Sequence, residues 1–266
     1  MTVNQKIIVI TDLDGTLLDH NDYSYIAASP ALKRLKQQDV PLIFNSSKTA
    51  AELVELRRVF DNKEPFVVEN GGGIYVPDNS GGHEKISFGI GRQTILSVLR
   101  QLRNDARLFV GFSDMDAAEI AECTGLSIEQ AEQAMQREFS EPIVWKGDES
   151  GRQNFCTELA QHSLISIKGG RFMHISGAIN KGEAVRWLRE YYKKRYNDEP
   201  LIIALGDSEN DKQMLECADF PVIIRSPVQE LPDVKADNLL ISDDSGPSGW
   251  NACVMKLLDL LNQEHE

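Results

Sequence analysis

The sequence predicts an α/β fold: residues 1–83 and 172–266 read as a core that resembles a doubly wound three-layer domain, and residues 84–171 as an inserted α/β domain. Three observations carry this reading. Apolar runs end abruptly in polar and glycine residues at IIVITDLDGT, PLIFNSSKT and LIIALGDSEND, as strands buried on both faces do. The first two runs lead into stretches with helix start signals, the alternation of a parallel sheet. At DNSGGHEK the composition breaks, and from Lys85 to about Gly170 short strands and helices follow a different rhythm.

The first strand opens at Ile7 and places Asp12 and Asp14 at its C-terminal end, where ligands bind in open α/β sheets. Residues two apart in an extended segment project the same way, so both carboxylates face one cation or one phosphoryl group. Ser29 and Pro30 mark the N-cap and first position of a helix to about Gln38. PLIFN is a second strand ending in Ser46, Ser47 and Lys48, and Thr49 with Glu52 forms a capping box that opens a helix to about Phe60. A hydroxyl and an ammonium beside the N–H groups of a helix start form a natural phosphate cradle. FVVENGGGIYV then reads as a strand, a glycine turn and a second strand.

Within the insert, KISFGI and RLFVGF read as strands around a helix from about Gln93 to Arg103. Two short helices follow, the second opened by a Ser127 to Gln130 capping box, then a strand from Pro142 to Trp145, a helix from about Asn154 to Gln161 and the strand LISIK. MHIS leads to Lys181 at the start of an amphipathic helix whose Val185, Leu188 and Tyr192 share a face; His174 reads as a satisfied structural histidine. LIIALG repeats the opening logic, running into Gly206, Asp207, Ser208, Asn210 and Asp211. FPVIIRS and NLLIS are strands, SGPSGW a loop and cap, and a final helix runs from about Trp250 to Leu261.

Hydrophobic content of 41% with 26% charged residues is ordinary for a globular protein, and no apolar run reaches membrane-spanning length. The N-terminal stretch MTVNQKIIVI lacks a signal-peptide pattern, so a cytoplasmic location is expected. A net charge of -13 argues against a nucleic-acid partner, which requires a basic face. Cys123, Cys156, Cys217 and Cys253 are widely spaced and read as buried free thiols, neither a zinc site nor a disulfide framework. A small anionic molecule is the expected partner, captured locally; oligomeric state is not legible.

DLDGT, Ser46 at the end of the second strand, Lys181-Gly182 and GDSEND, in this order, resemble the four motifs of the haloacid dehalogenase superfamily of phosphohydrolases. The resemblance implies that Asp12 is the nucleophile and Asp14 the general acid/base, with Thr16 supporting the loop. It further implies Mg2+ held by Asp12, Asp14 and Asp207, with Asp211 behind the metal. Phosphoryl oxygens are then met by Ser46, Lys48, Lys181 and Asn210, and the insert is the cap.

Across nearly the whole chain, FNSSKT, VENGGGI, GFSDMDAAEIAECTGLSIEQA, REFSEPIVW, IKGGRFMHI, NKGEAV and GPSGWN are similar to the mannosyl-3-phosphoglycerate phosphatase family, which makes the osmolyte mannosylglycerate. Asn45 departs from the aliphatic residue ordinary at that place. Mannosyl and glucosyl substrates both remain open, as do a broader sugar-phosphate phosphatase and a phosphomutase built on the same motifs. A non-enzymatic sugar-phosphate sensor is disfavoured because it has no need of both Asp12 and Asp14. A substrate carrying phosphate and glycerate carboxylate needs donors for the second anion, and the cap offers Arg137, Lys168, Gly169, Gly170 and Arg171.

Overall fold

The apolar runs become strands in a computed structural model that describes residues 6–78, 80–103, 108–169 and 172–263. In chain order the elements are β1 (Ile7–Thr11), α1 (Ser29–Gln37), β2 (Leu42–Asn45), α2 (Ala50–Val59), β3 (Phe66–Val68), β4 (Gly73–Pro77), β5 (His83–Ser87), α3 (Arg92–Leu102), β6 (Phe109–Gly111), α4 (Ala117–Thr124) and α5 (Ile128–Ala134). They continue with β7 (Ser140–Trp145), α6 (Glu149–Gln161), β8 (Leu164–Gly169), β9 (Phe172–Gly177), α7 (Lys181–Tyr196), β10 (Leu201–Gly206), α8 (Lys212–Glu216), β11 (Phe220–Arg225), β12 (Leu240–Ser245) and α9 (Gly246–Gln263). Among the described residues no helix is long and apolar enough to cross a membrane.

The chain divides into two compact units, one of Met1–Ser46, Glu64–Val67 and Asn180–Glu266, the other of Ser47–Lys63 and Val68–Ile179. In the first, parallel strands run in the order β12-β11-β10-β1-β2-β3. The chain moves one way from β1 to β2 and the other way from β10 to β11. Right-handed crossovers therefore place α1 and α8 on opposite faces. α9 packs with α1, and α7 with α8, which completes a doubly wound three-layer α/β domain. Ile8, Val9 and Ile10 of β1 and Ile202, Ile203 and Leu205 of β10 are wholly buried, as central parallel strands must be.

In the second unit β4 and β5 form an antiparallel hairpin, and a separate antiparallel sheet has the order β6-β7-β9-β8. Ile95 and Leu99 of α3 and Phe155 and Leu159 of α6 pack with Phe109, Ile143 and Ile175 of that sheet. A smaller cluster joins Phe112, Ile120, Ala131 and Ala134. The unit is larger than the 84–171 insert read from the sequence. The Thr49 hydroxyl, which caps α2, also donates to the Gln133 carbonyl at 2.9 Å, and β9 pairs with both β7 and β8.

Both expected capping boxes form, Thr49 with Glu52 and Ser127 with Gln130. Three helix starts differ. Ser29 is not a cap: the chain enters α1 from a 3-10 turn at Ile26–Ala28, and Ser29 is already helical. α6 begins at Glu149 rather than near Asn154, because the Asp148 carboxylate accepts the Gly151 N–H at 2.7 Å. α9 begins at Gly246, so GPSGW is the first turn of the helix and not a loop before it. Gly249 is required there, since a Cβ would lie 2.1 Å from the Asp244 carbonyl oxygen.

Candidate active site

The order of strands reverses between β1 and β10, and the crevice outside the carboxyl ends at such a reversal is where doubly wound sheets bind ligands. Asp12 follows β1 and Asp207 follows β10, so these two carboxylates stand side by side there. Two glycines permit the crowding. Gly15, at φ +83°, has no Cβ to stand 2.6 Å from Asp207 Oδ2, and a Cβ on Gly206 would come within 2.4 Å of the Asp211 Cβ.

Lys181 enters from the first turn of α7, which Asn180 caps by accepting the Gly182 N–H at 2.9 Å. Its side chain is wholly buried, and Nζ lies 2.6 Å from both Asp12 Oδ1 and Asp211 Oδ1. Asp211 Oδ2 in turn accepts the backbone N–H groups of Asp207 and Ser208, each at 3.1 Å. Asp211 thus spends both oxygens on donors of the protein itself. The Thr16 hydroxyl donates to Asp207 Oδ1 at 3.4 Å.

The cluster carries more negative charge than Lys181 neutralises. Burial pushes the Asp12 carboxyl well above the usual carboxylate range, opposed by Lys181 and reinforced by Asp211 and Asp207. Burial and then Asp211 push Asp207 up to about 7, and half-buried Asp14 lies close enough to add to the rise. Burial draws the Lys181 ammonium down, yet Asp12 and Asp211 outweigh it and hold the group above the ordinary lysine range. Oxygens of Asp12, Asp207 and Asp211 lie within 4.8 Å of one another. An all-oxygen donor set with surplus negative charge fits a hard divalent cation.

Of the residues the sequence singles out, Asp12, Asp14, Ser46, Lys181, Asp207, Asn210 and Asp211 lie in the first unit. Ser46 is buried just beyond β2 and donates its N–H to the Val67 carbonyl at 3.1 Å; Asn210 accepts from the Ser208 hydroxyl. Lys48 and Arg137 belong to the second unit. Arg137 is partly buried as a residue with its side chain 7% exposed, and its Nη1 donates to the Ser47 carbonyl at 3.2 Å and to Ser140 Oγ at 3.0 Å. Lys168 and Gly169 end β8, while Gly170 and Arg171 lie outside the described residues. His174 is not the satisfied histidine expected: its Nδ1 is buried without a hydrogen-bond partner, and burial, with Arg137 beside it, pushes the ring down to about 3.

Thr11 and Trp250 escaped the sequence reading, and Asn45 was noted there without a role. The Trp250 indole donates to Thr11 Oγ1 at 3.0 Å, and the Thr11 hydroxyl donates to the Asp12 carbonyl at 2.7 Å. Asn45, wholly buried, donates through Nδ2 to the Lys181 carbonyl at 3.1 Å. The signal for Thr11 and Asn45 was a polar residue closing an apolar strand. For Trp250 there was none, because its partner lies 239 residues away. The four cysteines are free thiols, but only Cys253 is buried; Cys123, Cys156 and Cys217 are partly exposed.

Haloacid dehalogenase-like hydrolases match this chain over residues 9–242. The glucosyl-3-phosphoglycerate/mannosyl-3-phosphoglycerate phosphatase of Methanococcoides burtonii is 38% identical over 266 residues, 95% of this chain and 97% of its own. Its counterpart from Persephonella marina is 33% identical over 265 residues, again 95% and 97%. In fold the chain is similar to BT1666, a phosphatase of the same superfamily from Bacteroides thetaiotaomicron, with TM-score 0.70 and 18% identity over 98% of this chain and 96% of that one. The sucrose-phosphatase of Synechocystis sp. PCC6803 aligns with TM-score 0.59 and 15% identity over 97% and 98%. The motifs, the switch-point carboxylates and these full-length matches agree: the chain belongs to the haloacid dehalogenase-like hydrolases, in the family of phosphatases represented by the two relatives from Methanococcoides burtonii and Persephonella marina.

Proposed function

We propose that the protein hydrolyses a glycosyl-3-phosphoglycerate, mannosyl or glucosyl, to the glycosylglycerate osmolyte and inorganic phosphate through a phosphoaspartate at Asp12. The observation that carries this reading is the buried Lys181 bridge between Asp12 and Asp211 beside Asp207, a cluster with more carboxylate than ammonium. Lys181 favours the ionised Asp12 and orients it through Oδ1. An Asp12 oxygen attacks phosphorus, the bond from phosphorus to the glycerate C3 oxygen breaks, and Asp14 gives its proton to the leaving alkoxide. Asp14 then takes a proton from water, whose oxygen attacks the same phosphorus and releases phosphate, restoring Asp12. Ser46, Lys48, Lys181 and Asn210 hold phosphoryl oxygens in this scheme. Asp12, Asp207 and the Asp14 backbone carbonyl would hold Mg2+, which when bound neutralises phosphate charge.

For the glycerate carboxylate, the sequence pattern supports Arg171 in IKGGR, with Arg137, Lys168, Gly169 and Gly170 as the other donors of the cap. The relatives' names favour the glycosyl-3-phosphoglycerate substrate over a broader sugar phosphate. A phosphate-release screen over mannosyl- and glucosyl-3-phosphoglycerate, other sugar phosphates and a small phosphomonoester, with and without magnesium, tests the proposal. Expected is magnesium-dependent release that is fastest with a glycosyl-3-phosphoglycerate and abolished by chelator without unfolding. Full activity in excess chelator, or no preference for the glycerate-bearing substrates, would overturn it.

A further inference from the structure

Glu69, Asn70 and Gly71 adopt left-handed backbone in succession, with φ of +49°, +58° and +96°. A glutamate there is uncommon, and a strained conformation persists only where its surroundings over-determine it. Here they do so from two directions. The Glu69 carboxylate, 1% exposed, accepts the Glu138 N–H at 2.7 Å, the Phe139 N–H at 3.1 Å and the Ser140 hydroxyl at 2.6 Å. Its backbone N–H points elsewhere, donating to the Lys48 carbonyl at 3.0 Å.

Arg137 completes the link: Nη1 stands 4.0 Å from Glu69 Oε2 and donates to the neighbouring Ser47 carbonyl at 3.2 Å. On the far side, Cβ atoms on Gly72 and Gly73 would come 2.5 and 2.8 Å from Phe139 atoms, so the glycine triplet lets the backbone lie against that ring. Residues 138–140 thus grip the turn, and the turn and Arg137 grip the carbonyls of Ser47 and Lys48. A glycine at 69 would relieve the backbone but supply no carboxylate. A glutamate with ordinary φ would redirect the N–H that holds Lys48.

We propose that Glu69 is a positioning residue for Lys48: its left-handed backbone and buried carboxylate together fix the Ser47-Lys48 backbone, and so the ammonium, for a phosphate-bearing ligand. This rests on the reading that Lys48 meets the substrate phosphate. The test is a double-mutant cycle of Glu69→Gln and Lys48→Ala, read on KM for the glycosyl-3-phosphoglycerate and on calorimetric binding of inorganic phosphate in the presence of magnesium. The calorimetric arm stands even for a substrate that is not turned over.

Glu69→Gln should raise KM and weaken phosphate binding together by roughly tenfold, with kcat changed less than about threefold. In the Lys48→Ala background the same substitution should change neither quantity by more than about twofold, because residues acting through one another are not additive. Effects that multiply, or a Glu69→Gln protein with lower melting temperature but unchanged KM and phosphate binding, would overturn the inference. Wild-type phosphate affinity in Lys48→Ala would remove the reading of Lys48 itself. Glu69→Asp runs the same cycle where Glu69→Gln does not fold, since it keeps the charge beside Arg137 and tolerates left-handed backbone but falls short of the 138–140 donors.

Discussion

Both units bury carboxylates, but they treat them differently. In the second unit Glu141 is wholly buried and fully answered: Oε2 takes Arg92 Nε at 2.8 Å and Nη2 at 2.6 Å, and Oε1 takes the Ser113 N–H at 2.6 Å. Glu69 is answered in the same way by residues 138–140. In the first unit Asp12 and Asp211 share the Lys181 ammonium, and Asp207, beside them, takes a hydroxyl at 3.4 Å. The result is a pair of carboxyls pushed up in pKa. Buried charge that serves the fold is matched group by group, since an unanswered ion is costly. Buried charge that serves a ligand is left in surplus, for a cation and a phosphate to complete.

The sharpest way to break this contrast is Asp12→Asn. The amide keeps the shape but not the nucleophile, so kcat should fall by at least about a thousandfold, as losses of a nucleophile do. Circular dichroism should show an intact fold. Retention of a tenth of wild-type activity would put the surplus carboxylates to some other use.

Glu141→Ala should behave in the opposite way. It removes the carboxylate paired with Arg92, leaving the guanidinium only its bond to the Met135 carbonyl among the described residues, and should cost about 3 kcal/mol of stability, the scale for breaking a buried pair. Turnover of a small phosphomonoester by the folded fraction should stay within about twofold of wild type. Denaturant titration and initial rates read the two quantities, and a large loss of kcat at unchanged stability would erase the distinction between the units.

A smaller effect follows from Asp207. Its folded pKa, near 7, lies above the 3.8 of an unperturbed aspartate, so ionising it opposes folding. The stability it contributes is full below about pH 4 and is lost as pH rises through about 7. In metal-free protein the melting temperature of wild type relative to Asp207→Asn should therefore fall between about pH 5 and pH 8. Magnesium should restore more at pH 8 than at pH 5, because it binds the ionised form. A difference that is flat or rises with pH in scanning calorimetry would mean that the charge is already balanced.

The smallest effect is at Trp250→Phe, which removes the indole donor to Thr11 while keeping most of the buried ring. A lost neutral hydrogen bond is worth about 1 kcal/mol, so kcat should drop roughly fivefold through Asp12 with KM little changed. An equal loss in Thr11→Val, and no further loss in the double variant, would show that the two act as one relay. Independent losses would sever it.

Much of this protein is local and was legible as such. Four apolar β-formers before Asp12 and the run before Asp207 mark central strands, because a strand buried on both faces needs only its own side chains to be recognised. Thr49 with Glu52 and Ser127 with Gln130 announce helix starts within four residues. The α6 start was missed although Asp148 is a cap of the same kind, because ESGR has no apolar stripe to show that the helix has begun. The α9 start was missed because glycine and proline read as a loop, whereas the close approach to Asp244 makes Gly249 part of a helix.

By itself the sequence determined which residue types gather at strand ends, and hence the chemistry available: carboxylates at Asp12, Asp14, Asp207 and Asp211, a hydroxyl at Ser46 and an ammonium at Lys181. Only the tertiary structure decided who meets whom. Lys181 finds Asp12 across 169 residues and Asp211 across 30, Trp250 finds Thr11 across 239, and Glu69 finds Ser140 across 71. The reason is physical. Strand and cap propensities act through neighbours along the chain, while a buried ion or hydrogen bond takes its strength from desolvation, a property of the packed interior and of no short stretch of sequence.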